Sequence, residues 1–163
     1  MQKKYWLIKS EPETYSIDHL KKDKSTWWEN IRNYQARNFM TQQMQPGDLV
    51  LFYHSNAEPP GLAGIAMVSS PALADKTQFD KKSDYFEPRA TKEKPVWFCC
   101  EFKFVEKFNE LIPLGKIKEE AAKPQSPLAK IPLLQKGQRL SIQPLSQSEF
   151  ECLAKIAKAK VTS

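Results

Sequence analysis

Residues 49–68, LVLFYHSNAEPPGLAGIAMV, give the clearest indication of how this chain folds. The run that ends at His54 is apolar, β-branched and aromatic, a composition that is typical of a buried strand. Residues 55–61 are polar and contain two prolines and a glycine, which predicts a loop. The apolar run from Gly64 to Val68 then predicts a second strand.

Further strands and short helices are predicted on both sides of this stretch. Strands are expected at residues 5–9, 96–108 and 140–142. Helices are expected at residues 16–20, 34–43 and 147–158, with Ser16, Asn33 and Ser146 as their caps. Residues 71–95 are polar and charged and predict a long excursion with little regular structure. Short helices broken by prolines are expected between residues 111 and 134.

The order of these elements predicts the fold class. Strands and helices do not alternate regularly, which argues against a doubly wound parallel sheet. We predict an α+β, mainly β, fold: a small mixed, mostly antiparallel β-barrel decorated with short helices and a C-terminal helix. Because no repeat or linker interrupts the sequence, residues 1–163 are interpreted as a single domain.

Composition and charge limit the classes of function. The apolar fraction of 40% and the charged fraction of 27% are typical of a soluble globular protein. The chain has neither an apolar run long enough for a membrane span nor the apolar region of a signal peptide, so we expect a cytoplasmic protein without a membrane partner. Three cysteines, an odd count, predict buried reduced thiols rather than a disulfide framework. The net charge of +6 permits nucleic-acid binding without requiring it.

Residues 28–38, WENIRNYQARN, combine aromatic rings, arginines and amides in one short segment. This mixture is poor core material, because amides and guanidinium groups that are buried without partners cost free energy. It suits a pocket that stacks on a flat ring and reads the edge of that ring by hydrogen bonds. On the predicted helix, Tyr34, Arg37 and Asn38 share a face that differs from the apolar stripe.

Each candidate for such a pocket has a second interpretation. Trp28 is either a stacking platform or a core residue. Glu11 either accepts from an exocyclic amine, as acidic groups do with cytosine, or pairs with Arg32 or Arg37. Asn33 either reads a base edge or caps its helix. The predicted ligand-binding residues are Ser10, Glu11, Trp28, Asn33, Tyr34, Arg37, Tyr53, His54, Ser55, Tyr85 and Trp97. The predicted phosphate contacts are Arg32, Lys82 and Arg89.

Several motifs of this chain resemble those of the EVE domain family. They are Lys9–Pro12, Trp28 with Ile31–Asn38, Tyr53–Asn56, Pro60–Ala66, Asp75–Asp80, Ser83–Pro88, Pro95–Trp97 and Gly137–Pro144. The resemblance runs in order over nearly the whole chain. It implies that the protein is a bacterial relative of this family. It also implies a fold like that of the domain shared by pseudouridine synthase and archaeosine transglycosylase, which is a small β-barrel with helices around it. It also implies kinship with YTH domains and a modified base, notably a modified cytosine in DNA or RNA, as the ligand.

Two positions depart from the pattern of that family. Asn30 stands where glycine is frequent, and asparagine is among the few other residues that tolerate positive φ. Phe86 stands where tyrosine is frequent, which removes one hydroxyl from the long excursion. We expect the first change to preserve the local turn and the second to alter the rim of the pocket.

No pattern in the sequence indicates a catalytic or metal centre. His19 and His54 are not spaced with cysteines as zinc ligands are, and the neighbours His54 and Ser55 rarely adopt triad geometry. We therefore expect a monomeric nucleic-acid-binding module, not an enzyme, without cofactor or metal. Two alternatives stay open: an enzyme that acts on a nucleotide or modified base through Glu11 or His54, and a domain that binds a small molecule or another protein.

Overall fold

The computed structural model describes residues 2–161. The strands are β1 (Tyr5–Ser10), β2 (Ser25–Trp27), β3 (Leu49–His54), β4 (Gly61–Val68), β5 (Leu73–Ala74), β6 (Phe98–Cys99), β7 (Glu101–Pro113) and β8 (Ile142–Leu145). The α-helices are α1 (Ile17–Asp23), α2 (Tyr34–Gln42), α3 (Leu114–Ala121) and α4 (Gln147–Ile156). Short 3-10 helices lie at Lys76–Phe79 and Pro132–Leu134.

The main sheet has six strands in the order β2-β7-β4-β3-β1-β8, and β5 and β6 form a separate ladder. β1 and β3 pair in parallel, whereas the other neighbouring strands pair antiparallel. The predicted α+β class with a mostly antiparallel sheet is confirmed. The predicted barrel is not closed: within residues 2–161, β2 and β8 are the two edges of the sheet and do not pair with each other. With three residues, β2 is too short to continue the curvature that closure requires.

Both faces of the sheet are buried, and the sheet separates two cores. Successive side chains of a strand point to opposite faces, so Phe52 joins the first core and Tyr53 the second. Helices α1 and α2 cover the first core, and α3 and α4 cover the second. Trp28 packs against the first core. The sheet therefore lies between Trp28 and Tyr53.

The predicted helix starts are confirmed by their caps. The side chains of Ser16, Asn33 and Ser146 accept hydrogen bonds from the backbone amides of His19, Ala36 and Glu149. These bonds satisfy amides that have no partner within the helix. Cap residues thus fix where each helix begins, including the start of α2 inside the segment 28–38.

Several strands differ from the prediction: β2 was not predicted, β4 begins at Gly61 and not at Gly64, and β8 is Ile142–Leu145 and not residues 140–142. The long strand begins at Glu101, not near residue 96, and it continues to Pro113 through residues that were expected to be helical. Its last residues pair with Gly61 and Leu62 of β4, and this long-range pairing outweighs the local preference. Residues 71–95 contain one short strand and one 3-10 helix, and this confirms the excursion with little regular structure.

Candidate functional site

A cleft of about 370 Å³ opens where β1 ends and where the chain leaves β2. Four predicted ligand-binding residues line it, namely Ser10, Glu11, Trp28 and Tyr85. Ser10 and Glu11 come from the end of β1, Trp28 from the segment after β2 and Tyr85 from the long excursion. The fold thus brings together residues that are far apart in the sequence.

Trp28 forms an aromatic wall of the cleft, and neighbouring rings and a backbone hydrogen bond hold it in position. Its ring contacts the rings of Phe102, Phe52 and Tyr15 at centroid distances of 5.6, 5.9 and 6.1 Å. Its backbone amide donates to the carbonyl of Cys100. The side chain is half-buried and still lines the cleft. Trp28 is therefore both a core residue and part of the cleft, so the two interpretations of the sequence are compatible.

Ser10 and Glu11 supply polar atoms at the end of β1. The Ser10 hydroxyl donates to the Tyr15 carbonyl at 2.6 Å, so its oxygen keeps acceptor capacity. The exposed Glu11 carboxylate accepts from Nδ2 of Asn56 at 2.9 Å. No ion pair joins Glu11 to an arginine within residues 2–161. The carboxylate keeps lone pairs that a ligand donor can use.

Lys9 adds a cation that the sequence analysis missed. Its side chain is half-buried and lines the cleft beside Ser10. Burial lowers the pKa of the Lys9 amine, and no acidic side chain among residues 2–161 forms an ion pair with it. A partly desolvated cation that forms no ion pair can bind a ligand that brings an anion or a hydrogen-bond acceptor.

A buried carboxylate, Asp75, holds another wall of the cleft. It accepts from the Thr77 hydroxyl at 2.6 Å, the Asn30 amide at 2.7 Å and Nη1 of Arg32 at 3.1 Å. Burial would raise the pKa of Asp75, but the hydrogen bonds from Thr77, Asn30 and Arg32 outweigh it and lower that pKa. Asn30 has a φ of 72°, the left-handed conformation expected of a residue in a position where glycine is frequent. Arg32 also donates from Nη2 to the Tyr85 carbonyl at 2.8 Å, so Asp75 positions two lining residues.

A second cluster, the arginine–aromatic ladder, consists of two neighbouring rings with a guanidinium group on each side, in the order Arg32, Trp97, Tyr34 and Arg37. The rings of Tyr34 and Trp97 lie 4.9 Å apart. The Arg37 guanidinium is 4.7 Å from the Tyr34 centroid, and that of Arg32 is 5.5 Å from the Trp97 centroid. Nη1 of Arg37 donates to the Val96 carbonyl at 3.0 Å. The ladder ties α2 to the end of the long excursion.

Glu87 and Arg89 form hydrogen bonds with the two rings of the ladder. The Glu87 carboxylate accepts from Nη2 of Arg89 at 2.9 Å and from Nε1 of Trp97 at 3.0 Å. These bonds lower the pKa of Glu87 to about 2, and the Glu87 carboxylate raises the pKa of Arg89. Arg89 also donates to the Tyr34 hydroxyl at 3.0 Å. The polar groups of this region therefore have partners within the protein.

Several predicted ligand-binding residues lie outside the cleft. Tyr34, Arg37 and Trp97 belong to the ladder, and Asn33 caps α2. Tyr53 is 3% exposed and lies in the second core, on the other side of the sheet from Trp28. The alternation of side chains along β3 is the physical reason for this placement.

His54 and Ser55 support the cleft without lining it. Nε2 of His54 accepts from the Ile17 amide at 3.1 Å, and burial lowers the pKa of the ring. The Ser55 amide donates to the Ser10 carbonyl at 3.0 Å. These contacts fix the start of α1 and the end of β1. His54 and Ser55 therefore contact residues at or near the cleft but do not line it themselves.

The three predicted phosphate contacts lie outside the cleft as well. Arg32 is bound by Asp75, Arg89 by Glu87, and Lys82 is exposed on the excursion. In contrast, eight lining residues were absent from the sequence prediction: Lys9, Thr14, Tyr15, Thr26, Trp27, Glu29, Asn30 and Ile31. Six of them lie within three residues of Ser10 or Trp28 in the chain, and this is the signal that could have found them; Thr14 and Tyr15 have no such signal.

The part of the chain that the structure describes has free thiols at Cys99, Cys100 and Cys152; the first two are buried, as predicted, whereas Cys152 is half-buried. In the same residues, His, Cys, Asp and Glu side chains do not form a group of three or more that could hold a metal ion. No helix within residues 2–161 has the length and apolarity to cross a membrane.

Known proteins match this chain over most of its length. Thymocyte nuclear protein 1 of Gallus gallus is 40% identical and aligns with 96% of this chain and 69% of its own length. A solved structure of human THYN1 protein in complex with DNA that contains 5-methylcytosine is 36% identical, with a TM-score of 0.87 over 96% of this chain and 99% of that chain. A protein from Pseudomonas syringae is 39% identical, with a TM-score of 0.85 over 94% of this chain and 99% of that chain. The EVE domain family model matches residues 4–156, and this chain belongs to the EVE domain family.

Proposed function

We propose that this chain binds nucleic acid by taking a modified cytosine into the cleft that Trp28 and Tyr85 line. The observation that carries the proposal is the cleft itself, where aromatic rings, the carboxylates of Glu11 and Glu29 and the Lys9 amine, which forms no ion pair within residues 2–161, come together. The similarity to human THYN1 in complex with 5-methylcytosine-containing DNA supports the choice of base.

The chemistry of cytosine matches these groups. Its flat face can stack on Trp28 or Tyr85, and such stacking is worth about 1–3 kcal/mol per base. The carboxylate of Glu11 can accept from the exocyclic N4 amine, as acidic groups do when they read cytosine. The Lys9 amine can donate to a base carbonyl or a phosphate oxygen. A space of about 370 Å³ admits a single nucleobase but not a duplex, so a paired base must leave its stack to enter.

A binding role is favoured over a catalytic one. His54 was one of the two acid–base candidates, but its Nε2 already accepts the Ile17 amide. Using that nitrogen to take a proton from a substrate would break the contact that fixes the start of α1. Glu11 accepts from Asn56 and lies in an exposed position, where it can act as an acceptor for a bound base.

Fluorescence anisotropy of labelled oligonucleotides tests the proposal. Single- and double-stranded oligonucleotides with one central cytosine or 5-methylcytosine are titrated with the protein at low and moderate salt. We expect tighter binding of the modified form, and weaker binding as salt rises, because phosphate contacts release counterions. Equal affinity for the two forms, or no binding at low salt, would contradict the proposal.

Replacing Glu11 tests how the base is read. We expect Glu11→Ala to reduce the preference for cytosine over other bases, because the acceptor for N4 is lost. Glu13→Ala is the matched control: it removes another exposed carboxylate of the same loop, one that does not line the cleft. An identical base preference in Glu11→Ala and wild type would exclude Glu11 as the reader.

A further inference from the structure

Trp27 is adjacent to Trp28 in sequence but has different surroundings. It lies on the edge strand β2 and is 39% exposed. Among residues 2–161, no ring contact or side-chain hydrogen bond of Trp27 is found. A single exposed apolar residue is common on protein surfaces, so its exposure needs a second observation before it indicates a ligand.

The second observation is a hollow that continues from the cleft. This hollow has a volume of about 200 Å³, and Trp27 and Glu29 line both it and the cleft. Leu73, which is 51% exposed, contributes an apolar wall from the β5 strand. The indole of Trp27 therefore stands at the boundary between the two spaces, where a strand leaving the cleft would pass.

The other groups of the hollow suit a nucleotide. Lys76 is exposed and forms no ion pair within residues 2–161, so its ammonium is available to a phosphate. Burial raises the pKa of the Cys99 thiol to about 12, which keeps this wall uncharged and apolar. The hollow thus offers a ring, apolar walls, the Lys76 cation and, at its boundary with the cleft, the Glu29 carboxylate, so a phosphate is expected on the Lys76 side of the hollow.

We propose that Trp27 stacks on the base that neighbours the captured one, with Lys76 near the phosphate between the two nucleotides. This inference rests on the proposed function, because it requires that a base enters the cleft. It adds that the chain reads two consecutive nucleotides by stacking, and that it therefore needs an unpaired or unstacked neighbour.

Abasic substitution combined with variants of Trp27 tests this subsite. The probe is a labelled single-stranded oligonucleotide with one central 5-methylcytosine, compared with versions that carry an abasic residue on its 5′ or its 3′ side. We expect Trp27→Ala to weaken binding of the full oligonucleotide about fivefold or more. Wild type should bind one of the two abasic oligonucleotides as weakly as Trp27→Ala binds the full oligonucleotide. For that abasic oligonucleotide, Trp27→Ala and wild type should have the same affinity.

Two control variants separate stacking from apolar burial and from folding. Trp27→Phe keeps a flat ring and should retain most of the affinity, whereas Trp27→Leu keeps apolar volume without a ring and should behave like Trp27→Ala. The free energy of unfolding should change little in all three variants, because Trp27 is 39% exposed on an edge strand, so a loss of affinity reports the lost ring and not unfolding.

The outcomes distinguish this inference from the proposed function. If Trp27→Ala binds like wild type, or if its effect adds fully to that of both abasic residues, the neighbouring subsite is excluded while the cleft assignment stands. If wild type shows no preference for 5-methylcytosine, the proposed function fails and the subsite fails with it.

Discussion

The cleft and the arginine–aromatic ladder are built in part from the same segment, residues 28–38, and they have similar residue types. In the ladder, Arg37 donates to Val96, and Trp97 and Arg89 donate to Glu87. In the cleft, Lys9 has no ion pair within residues 2–161 and Glu11 accepts from one amide. The same mixture of rings and charges thus forms an internally hydrogen-bonded cluster in the ladder and, in the cleft, a surface whose polar groups keep capacity for a ligand.

This difference shows that composition does not identify a binding site until the partners of the polar groups are known. Buried or partly buried polar groups with satisfied hydrogen bonds stabilise a fold, whereas groups that keep unused capacity favour a ligand. The boundary between the two regions is the Asp75 node, that is, the Asp75 carboxylate with its hydrogen-bond donors Asn30 and Arg32. It joins Asn30 on the cleft side to Arg32 on the ladder side.

The largest expected effect is on the Asp75 node. Asp75→Ala leaves the Arg32 guanidinium and the Asn30 amide without their acceptor, and breaking a buried ion pair in this way costs about 3–5 kcal/mol. We expect a fall of about 3 kcal/mol in the free energy of unfolding, measured by urea denaturation. Asp80→Ala is the matched control, since that carboxylate is exposed on the same excursion. Similar small losses in both variants would contradict the role given to Asp75.

A matched pair of tyrosines sharpens the comparison. Tyr34 is 47% exposed and Tyr85 is 42% exposed. Tyr85 lines the cleft and its ring centroid lies 5.5 Å from the Arg32 guanidinium, whereas Tyr34 stacks on Trp97 in the ladder. We expect Tyr85→Ala to lower the affinity for every oligonucleotide alike, by about fivefold or more, because a stacking ring is lost. Tyr34→Ala should lower the free energy of unfolding by about 1 kcal/mol and leave affinity unchanged. Anisotropy and urea denaturation of both variants test this, and the reverse assignment of effects would refute it.

The smallest expected effect is a pH dependence of stability through His54. Burial lowers the pKa of His54 below its unfolded value, so the unfolded state binds the proton more readily. Stability is then fully present above about pH 6.5 and declines as pH falls from there towards the folded pKa. We expect His54→Gln to flatten the change in the free energy of unfolding between pH 7.5 and 5.5, measured by urea denaturation. A slope in the variant that equals that of wild type would contradict this.

Much of the fold could be predicted from the sequence because its signals are local. Apolar, β-branched and aromatic runs predicted most of the strands, and Ser16, Asn33 and Ser146 predicted where three helices begin. The open sheet was not predicted, because closure depends on how far the short edge strand β2 extends. The extension of β7 to Pro113 was also missed, because it depends on pairing with a distant strand.

The site was predicted in part, for a similar reason. Trp28, Glu11, Ser10 and Tyr85 were predicted together because their types suit a pocket and their motifs resemble those of the EVE domain, and they line the same cleft. Tyr53 was misplaced because motif membership does not state which face of a strand a residue occupies, and here that face belongs to the second core. Lys9 and Trp27 were missed because their roles depend on the absence of partners, which no local pattern reveals.

A crystal structure of the protein with a single-stranded oligonucleotide that contains one 5-methylcytosine tests the central claim most directly. We predict that the modified base lies in the cleft against Trp28 or Tyr85, with its N4 amine within hydrogen-bonding distance of the Glu11 carboxylate. A complex in which the modified base instead stacks on the ladder at Tyr34, with the cleft unoccupied, would contradict the account.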